Sequence, residues 1–165
     1  MVSLSVTDEL VSANRSYAQQ FEKGDLPMPP ARHVAVVTCM DARLVPARFL
    51  GLEEGDAHVI SNAGGRAQDA LRSLVISQRL LGTNEVAVIH HTDCGMLTFQ
   101  DDEFRRQIQE EVGIKSQWAP ESFADLEEDV RQSKARIEAS PFVPRKDSIR
   151  GFIYDVDTGR LQEIS

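Results

Sequence analysis

Two cysteines and a histidine lie directly after short apolar runs of this sequence. Cys39 follows the run that begins at Val34, and His91 and Cys94 follow the run Val86 to Ile89. Such runs are typical of buried parallel strands, and the carboxyl ends of parallel strands carry the binding sites of α/β proteins. Two thiolates and one imidazole favour zinc, and three protein ligands leave a fourth tetrahedral position for water. The sequence therefore predicts one catalytic Zn²⁺ per subunit, held by Cys39, His91 and Cys94.

An aspartate and an arginine follow Cys39 at every second position, as Asp41 and Arg43. This spacing lets Asp41 either bind the zinc or accept a hydrogen bond from zinc-bound hydroxide. A bidentate pair with Arg43 would keep the carboxylate off the metal and leave the fourth position free. We hypothesise from this spacing that Arg43 decides between an open and a closed site.

Other uses of the cysteines stay open at this point. They could form a disulfide, or one of them could act with a histidine as a thiol hydrolase. A lone buried cysteine is more often a small apolar residue, and a lone histidine is more often a hydrogen-bonded structural residue. A non-catalytic zinc site would need a fourth ligand, for which Asp41 and the other histidines are candidates. Zinc is the better interpretation because all three donors follow predicted neighbouring strands.

The periodicity of the chain predicts the elements that would position these donors. His58 to Ile60 is predicted to be a further buried parallel strand. The segment Arg66 to Leu81 has apolar residues at helical spacing and is followed by Gly82, which predicts a crossover helix. A strand, a turn and a short returning strand are predicted for Ser148 to Ile164. The predicted fold class is therefore α/β, with a mainly parallel central sheet.

Three more helices are predicted outside this core. The first spans residues 7–22, with Thr7 as its N-cap. The other two, Asp101 to Glu111 and Glu121 to Ala139, have polar, amphipathic sequences and are expected to face solvent.

The composition restricts the class of partner. The chain has 165 residues, of which 41% are hydrophobic, so a single domain over residues 1–165 is expected. Its formal net charge of −8 argues against nucleic acid and anionic membranes as partners. The N-terminal sequence does not resemble a signal peptide, and no apolar run approaches the roughly 20 residues of a membrane span. We expect a cytoplasmic protein with reduced thiols and a small substrate.

The pattern Cys39-x-Asp41-x-Arg43 followed by His91-x-x-Cys94 resembles that of the beta-class carbonic anhydrases. Asn62-Ala63-Gly64-Gly65 is similar to the family's glycine-rich segment beside the zinc, and Leu71-Arg-Ser-Leu is similar to its following helix. The resemblance covers most of the chain. The short length and the Pro-Met-Pro-Pro segment resemble the compact bacterial and archaeal branch.

This resemblance implies four parallel strands extended by a C-terminal strand and flanked by helices. It also implies reversible hydration of CO₂ to bicarbonate, and an obligate homodimer whose N-terminal helix packs on the partner subunit. Cys39, His91 and Cys94 would be the ligands. Asp41 would orient the nucleophile, Arg43 would hold Asp41, and backbone amides near Gly64 and Gly65 would border the substrate pocket.

Two departures from the family pattern concern the substrate. Pro30 stands where larger members carry a substrate-facing glutamine, and Ser61 stands where many members carry arginine. Hydrolysis of a CO₂ analogue, carbonyl sulfide or carbon disulfide, is therefore an alternative function, and a non-catalytic zinc-binding or regulatory role is a remoter one. His33, His58 and His90 are candidate proton shuttles, although a structural role is more common. Asp93 is expected to support a ligand or to cap the following turn.

Overall fold

The computed structural model describes residues 5–165, which form one five-stranded sheet flanked by helices. The strands are β1 (Val34–Cys39), β2 (Ala57–Asn62), β3 (Glu85–His91), β4 (Ile149–Tyr154) and β5 (Leu161–Ile164). Their order across the sheet is β2-β1-β3-β4-β5. The first four are parallel, and β5 pairs antiparallel with β4. The predicted α/β class, with four parallel strands and a C-terminal strand, is confirmed.

Five α-helices connect or flank these strands. They are α1 (Val6–Ala18), α2 (Pro46–Leu50), α3 (Ala67–Leu81), α4 (Asp101–Val112) and α5 (Leu126–Ala139). Short 3₁₀ turns at Ala63–Gly65 and Gly95–Leu97 follow the ends of β2 and β3. None of the helices among residues 5–165 combines the length and the apolar composition that crossing a bilayer requires.

The main hydrophobic core lies between the sheet and the helices α3 and α5. Val37 of β1 and Val88 of β3 pack with Leu74 of α3 and Ile137 of α5, and all four side chains are fully buried. Gly82 ends α3 in the left-handed conformation, as its position after the helical pattern predicted. Because β1 and β3 are adjacent and parallel, their carboxyl ends meet at one edge of the sheet.

Three helix predictions were wrong in detail. Helix α1 is capped by Ser5 rather than Thr7, because Ser5 and Asp8 form a reciprocal capping box. It ends at Ala18, and Phe21 lies beyond its end with its ring 5.6 Å from that of Tyr17. Helix α5 begins at Leu126, five residues later than predicted.

Two burial predictions were also wrong. The side of α5 that packs on the sheet buries four residues, so this helix is not solvent-facing. Strand β2 lies at an edge of the described sheet and is not fully buried, and Val59 is 44% exposed.

Candidate metal centre

The three predicted ligands converge at the carboxyl edge of β1 and β3. The donor atoms of Cys39, His91 and Cys94 all lie within 4.8 Å of one another, and all three residues are buried. The two sulfur atoms are 4.0 Å apart. Two Zn–S bonds of about 2.3 Å at a tetrahedral angle place sulfur atoms about 3.8 Å apart, so the pair fits one zinc ion. A disulfide needs a separation of about 2.05 Å, and both cysteines are free thiols.

The orientation of His91 suits a metal ligand. Its Nδ1 lies 2.8 Å from the carbonyl oxygen of Thr92, which can only accept, so Nδ1 carries the hydrogen. The opposite atom, Nε2, is buried and has no hydrogen-bond partner among the described residues. A buried lone pair without a donor is unfavourable, and a zinc ion between the two sulfur atoms and Nε2 would satisfy it.

The two thiols share one negative charge. The hydrogen bond from Cys94 holds the pKa of Cys39 well below its usual range, and the same bond raises the pKa of Cys94. The backbone N–H groups of Asp41 and Gly64 also lower the pKa of Cys39. Both residues can be thiolates together only if a cation lies between them, which is what zinc provides.

Arg43 holds Asp41 in a bidentate pair beside the three donors. Nε of Arg43 donates to Oδ1 of Asp41 over 2.9 Å, and Nη2 donates to Oδ2 over 2.8 Å. These bonds hold the pKa of Asp41 well below its usual range, so the carboxylate is ionised. Oδ2 of Asp41 is 3.8 Å from Nε2 of His91. Of the two arrangements left open by the spacing, the structure has the one in which Arg43 pairs with the carboxylate.

Asp93 has neither of the two roles that we predicted. It adopts a left-handed conformation with φ of 55°, and its carboxylate accepts a hydrogen bond of 2.7 Å from Nη1 of Arg43. Its backbone carbonyl accepts from Nη2 of the same guanidinium over 2.9 Å. Asp93 is therefore a second anchor for Arg43.

Gly64 and Gly65 form the turn that follows β2. Both have positive φ values, and a Cβ on Gly65 would lie 3.0 Å from the backbone nitrogen of Cys39. The side-chain amide of Asn62 closes the turn by accepting from the backbone N–H of Arg66 and donating to its carbonyl oxygen. The turn is thus pressed against the first ligand. Met96 and Phe123 also lie beside Gly64. The apolar side chains that pack around the two cysteines are Leu44, Met96, Phe49, Phe99, Phe123, Tyr154 and Val156.

The remaining histidines have structural contacts. Nδ1 of His33 lies 3.1 Å from the carbonyl oxygen of Gly82, and Nδ1 of His58 lies 2.7 Å from Oγ of Ser77. Both histidines precede or begin their strands, at the end of the sheet opposite to the donors. His90 points toward helix α5 and is 1% exposed.

Sequence reasoning missed the partners of His90. These are Asp129 on α5 and, beyond it, Arg66 and Glu121. They are separated from His90 by 24 to 39 positions in the chain. The only signal was a run of acidic residues at the start of α5, which is ordinary for a helix N-terminus.

A comparison with protein families matches residues 34–161 to the model described as carbonic anhydrase. The chain therefore belongs to the carbonic anhydrase family. The matched segment contains both ligand motifs and the four parallel strands β1 to β4.

The individual relatives narrow this class to the beta-carbonic anhydrases. The chain is 58% identical over 163 residues to beta-carbonic anhydrase 1 of Mycobacterium tuberculosis, covering 98% of this chain and 99% of the relative. The crystal structure of a carbonic anhydrase from Streptococcus mutans superposes with a TM-score of 0.92 at 44% identity, covering 99% of this chain and 100% of the other. The predicted family and enzyme class are confirmed.

A carbon disulfide hydrolase of Saccharolobus solfataricus is a more distant relative. It is 30% identical over 183 residues, covering 94% of this chain and 87% of the relative.

Proposed function

We propose that this protein catalyses the zinc-dependent, reversible hydration of CO₂ to bicarbonate and a proton. The observation that carries this proposal is the combination of three zinc-type donors with an ionised carboxylate held beside them by Arg43. The relative with 58% identity, named a beta-carbonic anhydrase, supports the same reaction. When bound by Cys39, His91 and Cys94, zinc would supply the Lewis acidity that makes water a nucleophile.

Asp41 would orient the attacking oxygen. Because Arg43 keeps it ionised, Asp41 can accept a hydrogen bond but cannot donate one. The attacking oxygen must therefore point its hydrogen at Asp41, which leaves a lone pair for the carbon of CO₂. Arg43 acts one step further out by fixing the carboxylate with two parallel bonds.

Gly64 and Gly65 would border the substrate. A small linear molecule needs little room, and a turn without side chains lets backbone approach it closely. The apolar side chains around the cysteines, including Met96 and Leu44, would keep the pocket dry, which strengthens every charge interaction inside it.

The second candidate function is hydrolysis of carbon disulfide or carbonyl sulfide. The observation in its favour is the relative that is itself named a carbon disulfide hydrolase, with 30% identity over most of the chain. The much higher identity to a beta-carbonic anhydrase favours CO₂.

The deciding experiment measures both reactions on one purified zinc protein. Stopped-flow CO₂ hydration is run beside a sulfide-release assay on carbonyl sulfide and carbon disulfide. We expect CO₂ hydration in the wild type and its loss, together with the zinc, in Cys39→Ser. Met40→Ser is the matched control because Met40 is the adjacent residue and is 68% exposed. Sulfide release without CO₂ hydration would replace the first function by the second, and a zinc content near zero would overturn both.

The zinc content and turnover of the same purified protein also test the thiol-hydrolase and the non-catalytic alternatives. One zinc per subunit commits both thiols to the metal and leaves none as a nucleophile. A zinc-loaded protein without turnover of any of the three substrates would favour the non-catalytic role.

We further propose a homodimer in which α1 packs on the partner subunit. No residue of α1 is buried in its own chain. A free helix of 13 residues is marginal in water, so its apolar side chains need a partner surface. The need to keep both thiols reduced supports a cytoplasmic location.

A further inference from the structure

Buried polar groups connect helix α5 to the turn beside Cys39. Nε2 of His90 donates to the carbonyl oxygen of Gly65 over 3.2 Å. On the other side of the ring, Nδ1 lies 3.1 Å from Oδ2 of Asp129, and neither atom has a hydrogen-bond partner among the described residues. The other oxygen of Asp129 contacts Nη1 of Arg66, whose Nε donates to Glu121 over 3.1 Å. We call His90, Asp129 and Arg66 the relay.

The relay ends on the turn that faces the first zinc ligand. Its last acceptor is the carbonyl oxygen of Gly65. This glycine lies against β1, because a Cβ on it would be 3.0 Å from the nitrogen of Cys39 and 3.0 Å from the carbonyl carbon of Thr38. The ring of His90 also lies directly under the turn, because a Cβ on Gly65 would be 3.2 Å from its Cδ2. The turn is thus supported from below by His90 and closed from the side by the Asn62 amide.

Fold stability alone does not account for these residues. His90, Asp129 and Arg66 are 1%, 3% and 5% exposed, and the rest of the interface of α3 and α5 with the sheet is largely apolar. Replacing a buried ion pair by apolar residues of similar size is often neutral or stabilising, because desolvating charges is costly. Contacts that orient metal ligands, in contrast, raise metal affinity and tune the site.

We infer that His90 and, beside it, Asp129 are positioning residues for the zinc site, which hold the Gly64–Gly65 turn against the backbone of Cys39. The carboxylate of Asp129 lies against the His90 ring, His90 holds the Gly65 carbonyl, and the turn then stays pressed against the backbone of the first ligand. The inference rests on the zinc site of the proposed function, but it does not depend on which substrate is used.

The test compares three variants by metal binding. His90→Leu removes the donor to Gly65 at similar volume, and His90→Gln restores an N–H donor near the position of Nε2. Ser133→Ala is the matched control, since Ser133 lies one turn further along α5 and is 1% exposed. Zinc affinity is measured by competition with a chelator, and the Co²⁺ form is examined for its near-ultraviolet thiolate charge-transfer band.

We expect His90→Leu to weaken zinc binding by about 10- to 100-fold and to shift the cobalt band. His90→Gln should recover most of the zinc affinity and most of the band position, and Ser133→Ala should change neither the affinity nor the band. A merely structural role would lower the melting temperature without moving the band or being rescued by glutamine. The inference is overturned if a folded His90→Leu protein keeps wild-type affinity and band, or if His90→Gln is as impaired as His90→Leu.

A second variant covers the case in which His90→Leu does not fold. Asp129→Asn keeps the size of the side chain and removes the charge that contacts Arg66 and lies beside His90. It should move zinc affinity and the cobalt band in the same direction as His90→Leu, and wild-type values in a folded Asp129→Asn protein would contradict the relay. If the wild type binds one zinc but hydrates no CO₂, the proposed reaction fails while these comparisons still decide the relay.

Discussion

Cys39 and Cys94 compete for one negative charge when no cation lies between their sulfur atoms. The hydrogen bond between them lowers the pKa of Cys39 and raises that of Cys94. At pH 8 the metal-free pair is therefore one thiolate and one thiol. Zinc must displace the proton of Cys94, whereas Cys39 has none to lose.

We predict that zinc binding at pH 8 releases about one proton per subunit and that affinity rises about tenfold per pH unit near that pH. The sign follows because protons compete with the metal for Cys94. Calorimetry in two buffers with different ionisation enthalpies measures the proton count. A value near two would mean that the thiols titrate independently.

Arg43 offers a second prediction at the level of single residues. Its guanidinium fork holds Asp41 by two bonds, and a lysine keeps the charge but not the fork. Arg43→Lys should lower kcat/KM for CO₂ hydration by about 10- to 100-fold. Asp93→Asn is the comparison and should cost less than about fivefold, because the Asp93 side chain is 79% exposed and exposed ion pairs contribute at most about 1 kcal/mol. Equal losses of kcat/KM in the two variants would show that the contact of Arg43 with Asp93 matters as much as its fork on Asp41.

The sequence was sufficient to predict the three zinc donors but not the residues that contact their neighbours. Cys39, His91 and Cys94 follow strands whose periodicity is plain, so their convergence could be anticipated. The contact of Asp93 with Arg43 depends on a left-handed backbone that non-glycine residues rarely adopt. The contact of Asp129 with His90 depends on which face of α5 meets the sheet, and the polar sequence of that helix suggested solvent.

At the scale of elements, the close approach of the β2–α3 turn to β1 is the tightest constraint on the site. Comparing three glycines separates the cost of a left-handed backbone from the cost of the overlap between a side chain and β1. Gly95 has no positive φ and open space, Gly51 has a φ of 61° and open space, and Gly65 has a φ of 68° with backbone atoms 3.0 Å from a Cβ.

We predict graded losses of unfolding free energy when each of these glycines is replaced by alanine. Gly95→Ala should change it by less than about 0.5 kcal/mol. Gly51→Ala should cost about 1–2 kcal/mol for the left-handed backbone, and Gly65→Ala should cost a further 1–3 kcal/mol for the overlap with β1. Urea denaturation of the three variants measures this series. Equal losses at Gly51 and Gly65 would contradict the close approach.

The late start of α5 shows why element boundaries were harder to predict than element types. Residues after Pro120 have helical composition, but Asp101 at the start of α4 accepts hydrogen bonds from the backbone N–H groups of Glu121 and Ser122. Glu121 adopts a φ of 60° to make this contact. A long-range bond thus competes with the local helix, and Asp125 becomes the N-cap instead. Sequence periodicity carries no information about such a partner.

At the scale of the whole molecule, apolar side chains remain exposed on two surfaces of the described chain. Helices α3 and α5 contact each other and cover one face of the sheet. On another surface, a groove of about 250 Å³ is lined by residues such as Val34, Leu50 and Ala87. Parallel sheets are normally covered on both faces. Helix α1 also has exposed apolar side chains that could cover such a surface. Val6, Leu10 and Tyr17 are 71%, 64% and 52% exposed.

The dimer proposed from these surfaces predicts that one charge on α1 separates the subunits. Leu10→Glu places a carboxylate in the middle of the apolar side of the helix, where an interface would have to bury it without a partner. We expect sedimentation velocity at micromolar concentration to show a dimer for the wild type and a monomer for Leu10→Glu. Met28→Glu is the matched control, because Met28 is 80% exposed and lies outside α1, so its dimer should persist. A monomeric wild type, or a Leu10→Glu protein that remains dimeric, would contradict the role of α1.

If the partner's helix also completes the wall of the zinc pocket, the Leu10→Glu monomer should keep its zinc and lose CO₂ hydration, since all three donors lie in one chain.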